Sequence, residues 1–495
     1  MTVSNQSPRT APPTPPTPPP IADAEPPIAD AEPPIADAEP PIGLSRSLQG
    51  RHLTMISIGG IIGAGLFVSS STSIIAAGPA SFLSYAATGM LILLVMRMLG
   101  EMATALPKVR SFTEFARAGL GERAGFVVGW LYWYFWVLVV PVEAIAGAKI
   151  LQHWLPLTPL EIGLGLMCVM TGVNLMSARS YAEFEFWFAS IKVAAIIVFI
   201  AIAASYAFGW TSPHGATFHN LVGHGGFTPH GWIAVFAAVP TVFFAMTGAE
   251  ITTIAAAESA QPGRAVARMS TTVIWRILIF YVVSILCIVS VVPWTEVRSG
   301  ESPFTLALNS MHVPWAGAAM SAIILTAVLS CLNSAFYVSS RVLFVLAERG
   351  DAPQALVRLN KRRVPMGSVL IGAAAGFLGI VAATETPQAV FDFLVSSSGA
   401  LIVYVYMAIV IAQIRLRRQR ERRGEPPPAI VMWLFPWLSY AAVAAMAAVL
   451  AAMAFTPGLK RDFFTSCGTL SVAVIASLAL GRRPAQAEIS LGNVR

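Results

Sequence analysis

From residue 53 to residue 481 the chain alternates apolar runs with short polar connections, the runs falling at 53–77, 79–104, 124–151, 158–177, 186–208, 231–256, 271–293, 314–346, 367–384, 390–413, 429–453 and 464–481. A run of about twenty apolar residues crosses about 30 Å of hydrocarbon as an α-helix. Lipid satisfies no free backbone N–H or C=O group, so each run must be helical and the helices must share one bundle. The pattern therefore predicts an all-α integral membrane protein of about twelve transmembrane helices. The chain before it reads differently. APPTPPTPPP runs into three copies of PPIADAE between Pro19 and Glu39. Paired prolines in every copy forbid continuous helix, and no basic-then-apolar pattern marks a signal peptide, so residues 1–45 are expected to be a disordered Pro-rich tail.

Composition agrees with the pattern: 56% of residues are hydrophobic and 12% charged, against about 25% charged in an average soluble domain. The charge is distributed unevenly. One set of loops holds Arg46, Arg51, Lys108, Arg110, Arg117, Arg123, Arg179, Arg264, Arg268, Arg349, Arg358, Lys361, Arg362, Arg363 and the run RLRRQRERR from Arg415 to Arg423, whereas the other holds Lys149, Arg298, Lys460 and Arg461. An even number of spans puts both termini on one side, and the positive-inside bias makes that side the cytoplasm. The net charge of +7 is then explained by loops facing anionic lipid, without nucleic acid. Cys168, Cys287, Cys331 and Cys467 fall singly in or near apolar runs, which suggests core filling rather than disulfides or a metal site.

Two spans carry their own interruptions. GGIIGAGLFVSSS, Gly59 to Ser71, places four glycines within seven positions, and PTVFFAMTGAEITTIAAAE, Pro240 to Glu258, combines Pro with Gly in the sixth span. Gly59 and Gly63 form GxxxG, a pattern that also serves close helix packing, while a dinucleotide fingerprint needs a third glycine where Val68 stands. A matched pair of interruptions is the mark of transporters built from two inverted repeats, with half-helix ends meeting at the bilayer midplane. Spans 1–5 and 6–10 would form a 5+5 core over residues 46–413, followed by a basic cytoplasmic loop and spans 11–12 over 414–481 and a cytoplasmic tail over 482–495. N–H groups freed at Gly63-Ala64-Gly65 suit a carboxylate, and carbonyls freed between Phe244 and Thr247 suit an ammonium. A small molecule carrying both groups is an amino acid.

At these residues the chain resembles the amino acid–polyamine–organocation superfamily, and within it the bacterial amino acid permeases. The resemblance rests on RHLTMISIGGIIGAGLFVSSS, RMLGEMA, GWLYWYFWVLVVPVEA, EFEFWFASIKV, GAEITTIAAAES, SCLNSAFYVSSR and FLVSSSGA, and covers about residues 43–480. It implies a leucine-transporter-like fold with helices 1 and 6 broken, in a bacterial inner membrane, importing 4-aminobutyrate or a related amino acid with protons and without a cofactor. It also implies substrate contacts at Ile61, Gly63, Ala64, Gly65, Phe244, Ala245 and Thr247. In proton-coupled relatives the lysine matching Lys192 places its ammonium between spans 1 and 8, where sodium-driven relatives bind sodium.

Ionisable groups at depth demand a partner or a task. Lys192 is a candidate for proton coupling or a stem reaching to the cytoplasmic face. Glu143, after Pro141 in span 3, faces either the substrate path or a neighbouring helix, and Glu250 sits just beyond the span-6 interruption. Glu258 is expected to pair with Arg264 or Arg268. Arg97 and Glu101, four apart, are expected to pair with each other or with a cytoplasmic gate. Ser330, Asn333 and Ser334 in span 8 either line the cavity or pack helices. The aromatics of span 3 suit an interfacial belt, and the spacing of His214, His219, His224 and His230 does not specify a metal site. No nucleophile–base set is present. Beside proton-coupled import, the residues leave open an obligate exchanger and an amino-acid-sensing receptor on the same fold.

Overall fold

The computed structural model describes residues 1–2, 62–106, 109, 112–176, 178–251, 279–313, 315–360 and 362–480. The chain divides into two units, residues 1–44 and 45–495, and every helix below belongs to the second. The Pro-rich repeats, Gly59, Ile61, Glu258, Arg264, Arg268 and the tail 482–495 lie outside the described residues.

Among the described residues all regular structure is helical. In chain order the helices are α1 (Ala64–Phe67), α2 (Ser70–Ala77), α3 (Ser81–Ala105), α4 (Phe112–Leu120), α5 (Glu122–Leu151), α6 (Pro159–Asn174), α7 (Ala178–Ala207), α8 (Gly231–Ala237) and α9 (Val239–Met246). They continue as α10 (Ile279–Val291), then α11 (Pro303–Ser310), α12 (Ala316–Glu348), α13 (Met366–Ala382), α14 (Pro387–Arg422), α15 (Trp437–Phe455) and α16 (Lys460–Leu480). Seven helical stretches among the described residues are long and apolar enough to cross a membrane, and four shorter apolar helices of 10–17 residues accompany them. The first stretch, Ala64–Ala105, holds two expected spans joined by the 3-10 turn Gly78–Ala80. α6 has 16 residues, about 24 Å of helix.

α5 lies at the centre: it is the most buried of the long helices apart from α14 and packs against α12, α13 and α14. Close approach is made possible by residues without side-chain bulk. A Cβ on Gly376 would fall on Met167 and Val140, and one on Gly399 of α14 on the Pro240 carbonyl of α9.

Two helical features were not legible as spans. α4 is a short amphipathic helix in the basic connection: Phe112, Phe115 and Ala116 are buried, while Arg117 binds Glu114 at 3.2 Å, Glu122 and Asp351. α11 fills the connection before α12, its first turn capped by the Ser302 hydroxyl, which accepts from Thr305 N–H at 3.4 Å.

The run RLRRQRERR, expected as a loop, continues α14 to Arg422. Arg, Gln and Glu are good helix formers, and Arg417 pairs with Glu421 at i,i+4, 2.8 Å apart. This extension changes the partner of Glu101. The expected pairing of Arg97 with Glu101 does not form: Glu101 accepts from Arg417 Nη1 at 2.9 Å, Gln413 Nε2 at 3.1 Å and the Met432 N–H at 2.6 Å. Arg97 instead donates to the Val431 carbonyl at 3.0 Å and lies over the Trp433 ring. A two-turn extension of α14 brings a guanidinium to Glu101, and neighbouring-turn spacing carries no information about such tertiary competitors. Glu101 is 3% exposed, so Glu101→Ala would leave three donors unmatched, and the loss is expected to be about 3–5 kcal/mol. A fall in the midpoint of thermal unfolding in detergent would register it, and an unchanged midpoint would show the cluster to be dispensable.

Candidate binding site at two interrupted helices

Gly63 stands where the sequence predicts the first interruption. Its backbone is extended, with φ −144° and ψ −148°, and helix begins at Ala64. A second irregularity follows at once: Ser69 N–H reaches back five residues to the Ala64 carbonyl at 2.8 Å, a widened turn separating α1 from α2. The other interruption ends α9. Thr247 is extended, at φ −70° and ψ 144°, and Gly248 has φ 129°, a region that residues with a Cβ rarely enter.

The two interruptions touch. A Cβ built on Gly65 would lie 2.6 Å from the Ala245 Cα, so the chains of α1 and α9 pass backbone to backbone. Gly63 is equally tight against other elements, with Cys331 Cβ at 2.5 Å and Glu143 Oε1 at 2.7 Å from a Cβ built there. Gly63, Ala64, Gly65, Phe244, Ala245 and Thr247 are all buried, and Ile61 lies outside the described residues.

At each interruption a buried carboxylate takes an N–H group. Glu143, 1% exposed, accepts from Ala64 N–H at 3.1 and 3.0 Å through its two oxygens and from the Cys331 thiol. Glu250, fully buried, accepts from Gly248 N–H at 3.0 Å, Tyr406 Oη at 2.7 Å and Tyr132 Oη at 3.1 Å. For Ala64 the reason is local: an N–H group at the start of a helical segment carries partial positive charge and holds an anion. The sequence reading assigned the Gly63-Ala64-Gly65 amides to a ligand's carboxylate; here the Ala64 amide is held by Glu143. The carbonyls near Phe244 to Thr247 are also partly engaged. Tyr281 Oη donates to the Ala245 carbonyl at 2.9 Å, and Thr247 Oγ1 to the Phe243 carbonyl at 2.6 Å. Phe244 packs on Phe135, ring centroids 6.3 Å apart, so part of the span-3 aromatic run faces this site rather than lipid.

Lys192 is fully buried, and the geometry is not that of a stem reaching to the surface. Its Nζ donates to Ser330 Oγ at 2.8 Å and stands 3.8 Å from Glu185 Oε1. Of the span-8 polar residues, Ser330 joins this group. Asn333 turns away to accept from Asn174 Nδ2 at 2.8 Å. Cys331, read as core filling, touches Glu143 instead. Glu185, Tyr132, Tyr281 and Tyr406 were missed. Glu185 carried a usable signal, since it precedes Lys192 by seven residues and therefore shares its helix face.

Among the described residues no group of three or more His, Cys, Asp or Glu side chains converges to hold a metal ion. His230 is spent on the Ala76 carbonyl at 3.0 Å, and the His224 carbonyl accepts from Trp294 Nε1 at 2.9 Å.

Residues 52–481 match the family model of the amino acid permeases. The γ-aminobutyric acid permease of Bacillus subtilis is 42% identical over 445 residues, covering 89% of this chain and 94% of that protein. Its namesake from Escherichia coli is 41% identical over 445 residues, covering 89% and 95%. The solved structure of a manganese transporter from Eremococcus coleocola shares the fold, with a TM-score of 0.54 at 14% identity over 87% of this chain and 92% of that one. The chain belongs to the amino acid permease family.

Proposed function

We propose that this multi-pass permease imports 4-aminobutyrate or a closely related amino acid together with protons, across a bacterial inner membrane with both termini in the cytoplasm. Spans 1–5 and 6–10 would act as inverted repeats around the interruptions, with spans 11 and 12 outside that core. The observation that carries the reading is the meeting of α1 and α9 at Gly65 and Ala245, which puts amides of one interrupted helix beside carbonyls of the other. A zwitterion needs both, its carboxylate on Gly63-Ala64-Gly65 and its ammonium on Phe244, Ala245 and Thr247.

Glu143 gives this seat a competitor. A substrate carboxylate and the Glu143 carboxylate want the same Ala64 amide, and like charges do not share it. Substrate entry therefore displaces Glu143 or requires it to be protonated, and the second route ties binding to a proton. Lys192 is within electrostatic range of Glu143, and we assign it the coupling role, with Glu250 holding the span-6 interruption open. The two relatives' substrate favours 4-aminobutyrate, whose greater charge separation asks for a longer seat than an α-amino acid does. The task is translocation, with no bond made or broken in the substrate.

The test is uptake of labelled 4-aminobutyrate by proteoliposomes, with and without an inward proton gradient, followed by competition with the natural amino acids. Accumulation above equilibrium is expected only with the gradient, and 4-aminobutyrate should compete best. Absence of gradient-driven accumulation of any amino acid would overturn the mechanism, and uptake only into preloaded vesicles would identify an exchanger.

A further inference from the structure

Glu185 and Lys192 stand on the same face of α7, two turns apart, and both are fully buried. Their direct contact is loose. Lys192 Nζ lies 3.8 Å from Glu185 Oε1, and that oxygen accepts no hydrogen bond. The tight path runs through α12: Lys192 Nζ donates to Ser330 Oγ at 2.8 Å, and Ser330 Oγ donates to Glu185 Oε2 at 2.6 Å. A hydroxyl accepts and donates at once, so ammonium, hydroxyl and carboxylate stand in series along an unbroken hydrogen-bonded path.

Stability is a poor reason for this arrangement. A buried ion pair is often no more stable than the apolar residues that would replace it, and one held at a distance by a serine gains less than one in direct contact. In a membrane span such groups mark ion or proton pathways.

We propose that Glu185 is the proton acceptor of Lys192, reached through the Ser330 hydroxyl, and that it passes the proton on toward the end of the membrane where α7 begins. The proposal rests on the coupling role assigned to Lys192 above. In the step, one Nζ–H bond of Lys192 breaks as Ser330 Oγ takes that proton, and the original Ser330 Oγ–H proton bonds to Glu185 Oε2. Lys192 changes from ammonium to neutral amine and Glu185 from carboxylate to carboxylic acid. Ser330 is regenerated, and no electron donor or acceptor is needed. Glu185 lies about 10 Å nearer the start of α7 than Lys192 does, on the side of Arg179 and the basic loops, which is the cytoplasmic side in the proposed orientation.

Among the described residues, the other titratable groups facing this path are Glu143 on α5 and Cys331 on α12, both within electrostatic range of Lys192, and Cys331 also of Glu185. Glu143 and Cys331 touch each other, and Glu143 holds the Ala64 amide. A change in the charge of Lys192 is therefore felt one residue from the interruption of the first span, which links the proton path to the substrate seat.

The experiment compares wild type, Glu185→Gln, Ser330→Ala and Lys192→Ala in proteoliposomes. Labelled 4-aminobutyrate and a panel of natural amino acids are the probes, read as counterflow and as accumulation under an inward proton gradient. Glu185→Gln still accepts from Ser330 but cannot take a proton at that oxygen. It is expected to keep counterflow within about twofold of wild type while accumulation falls about a hundredfold or more, the lower end of the range for a lost proton-transfer group. Ser330→Ala should shift the same balance in the same direction, and it decides the matter if Glu185→Gln does not fold. Wild-type accumulation in Glu185→Gln, or equal loss of both activities in folded protein, would overturn the relay. Wild-type accumulation in Lys192→Ala would instead sink the coupling reading on which the relay rests.

Discussion

Proteoliposomes carrying Lys192→Ala are expected to exchange labelled 4-aminobutyrate across the membrane yet fail to accumulate it when a proton gradient is applied. Counterflow needs only the substrate seat and the motion of the helices around it. Among the described residues Lys192 donates to Ser330 and stands beside Glu185, which are not residues of that seat. Accumulation also needs a group whose charge follows the proton. Removing the ammonium leaves Glu185 buried without its cation, a penalty of about 3–5 kcal/mol when one partner of such a pair is deleted. A fall in thermal stability should therefore accompany the functional loss, and the two effects can be separated. The double variant Lys192→Ala/Glu185→Gln removes the orphaned charge, so stability should recover while accumulation stays absent. Recovery of both together would mean that Lys192 acts only by balancing charge.

The parts of this site that the sequence revealed are those written in local chemistry. Clustered glycine and proline within apolar runs announced both interruptions, because no other residues serve where a helix must open or two backbones must touch. Gly65, against the Ala245 backbone, and Gly248, at φ 129°, bear this out. What stayed hidden depends on distant segments. Glu101 looked paired with Arg97 because one turn joins them, but Arg417 reaches it from a helix more than three hundred residues later. Glu143 was legible as a buried charge, yet its hold on the Ala64 amide depends on how α5 packs beside α1. Glu185 is the instructive case: the seven-residue spacing to Lys192 was on view, but EFEFWFASIKV read as a family fingerprint and not as two charges on one face. Cys331 gave no signal, since a thiol against a carboxylate and a thiol among methyl groups have the same sequence.

Gly63→Ala is expected to abolish counterflow and accumulation alike, which separates the seat from the coupling path. Gly63 has φ −144°, extended backbone open to any residue, so strain in the chain itself plays no part. The new methyl group would stand 2.5 Å from Cys331 Cβ and 2.7 Å from Glu143 Oε1, distances that real Cβ contacts do not reach. Cys331 Cβ is anchored to α12 and cannot rotate away. The Glu143 carboxylate can, but in doing so it abandons the buried Ala64 amide, and an unmatched buried donor costs about 1–3 kcal/mol. Overpacking of this kind adds a similar amount, about 1–3 kcal/mol. A shift of α1 of about 1 Å at the reacting geometry is enough for a hundredfold loss of turnover, here of transport. Gly63→Ala/Cys331→Gly is the control: removing the Cys331 Cβ restores space on the α12 side, so counterflow should return in part, less the loss of about 1 kcal/mol for glycine in a helix. Unaltered counterflow in Gly63→Ala would show that the first span does not work at these distances, and the amides of Gly63, Ala64 and Gly65 would lose their claim on the substrate.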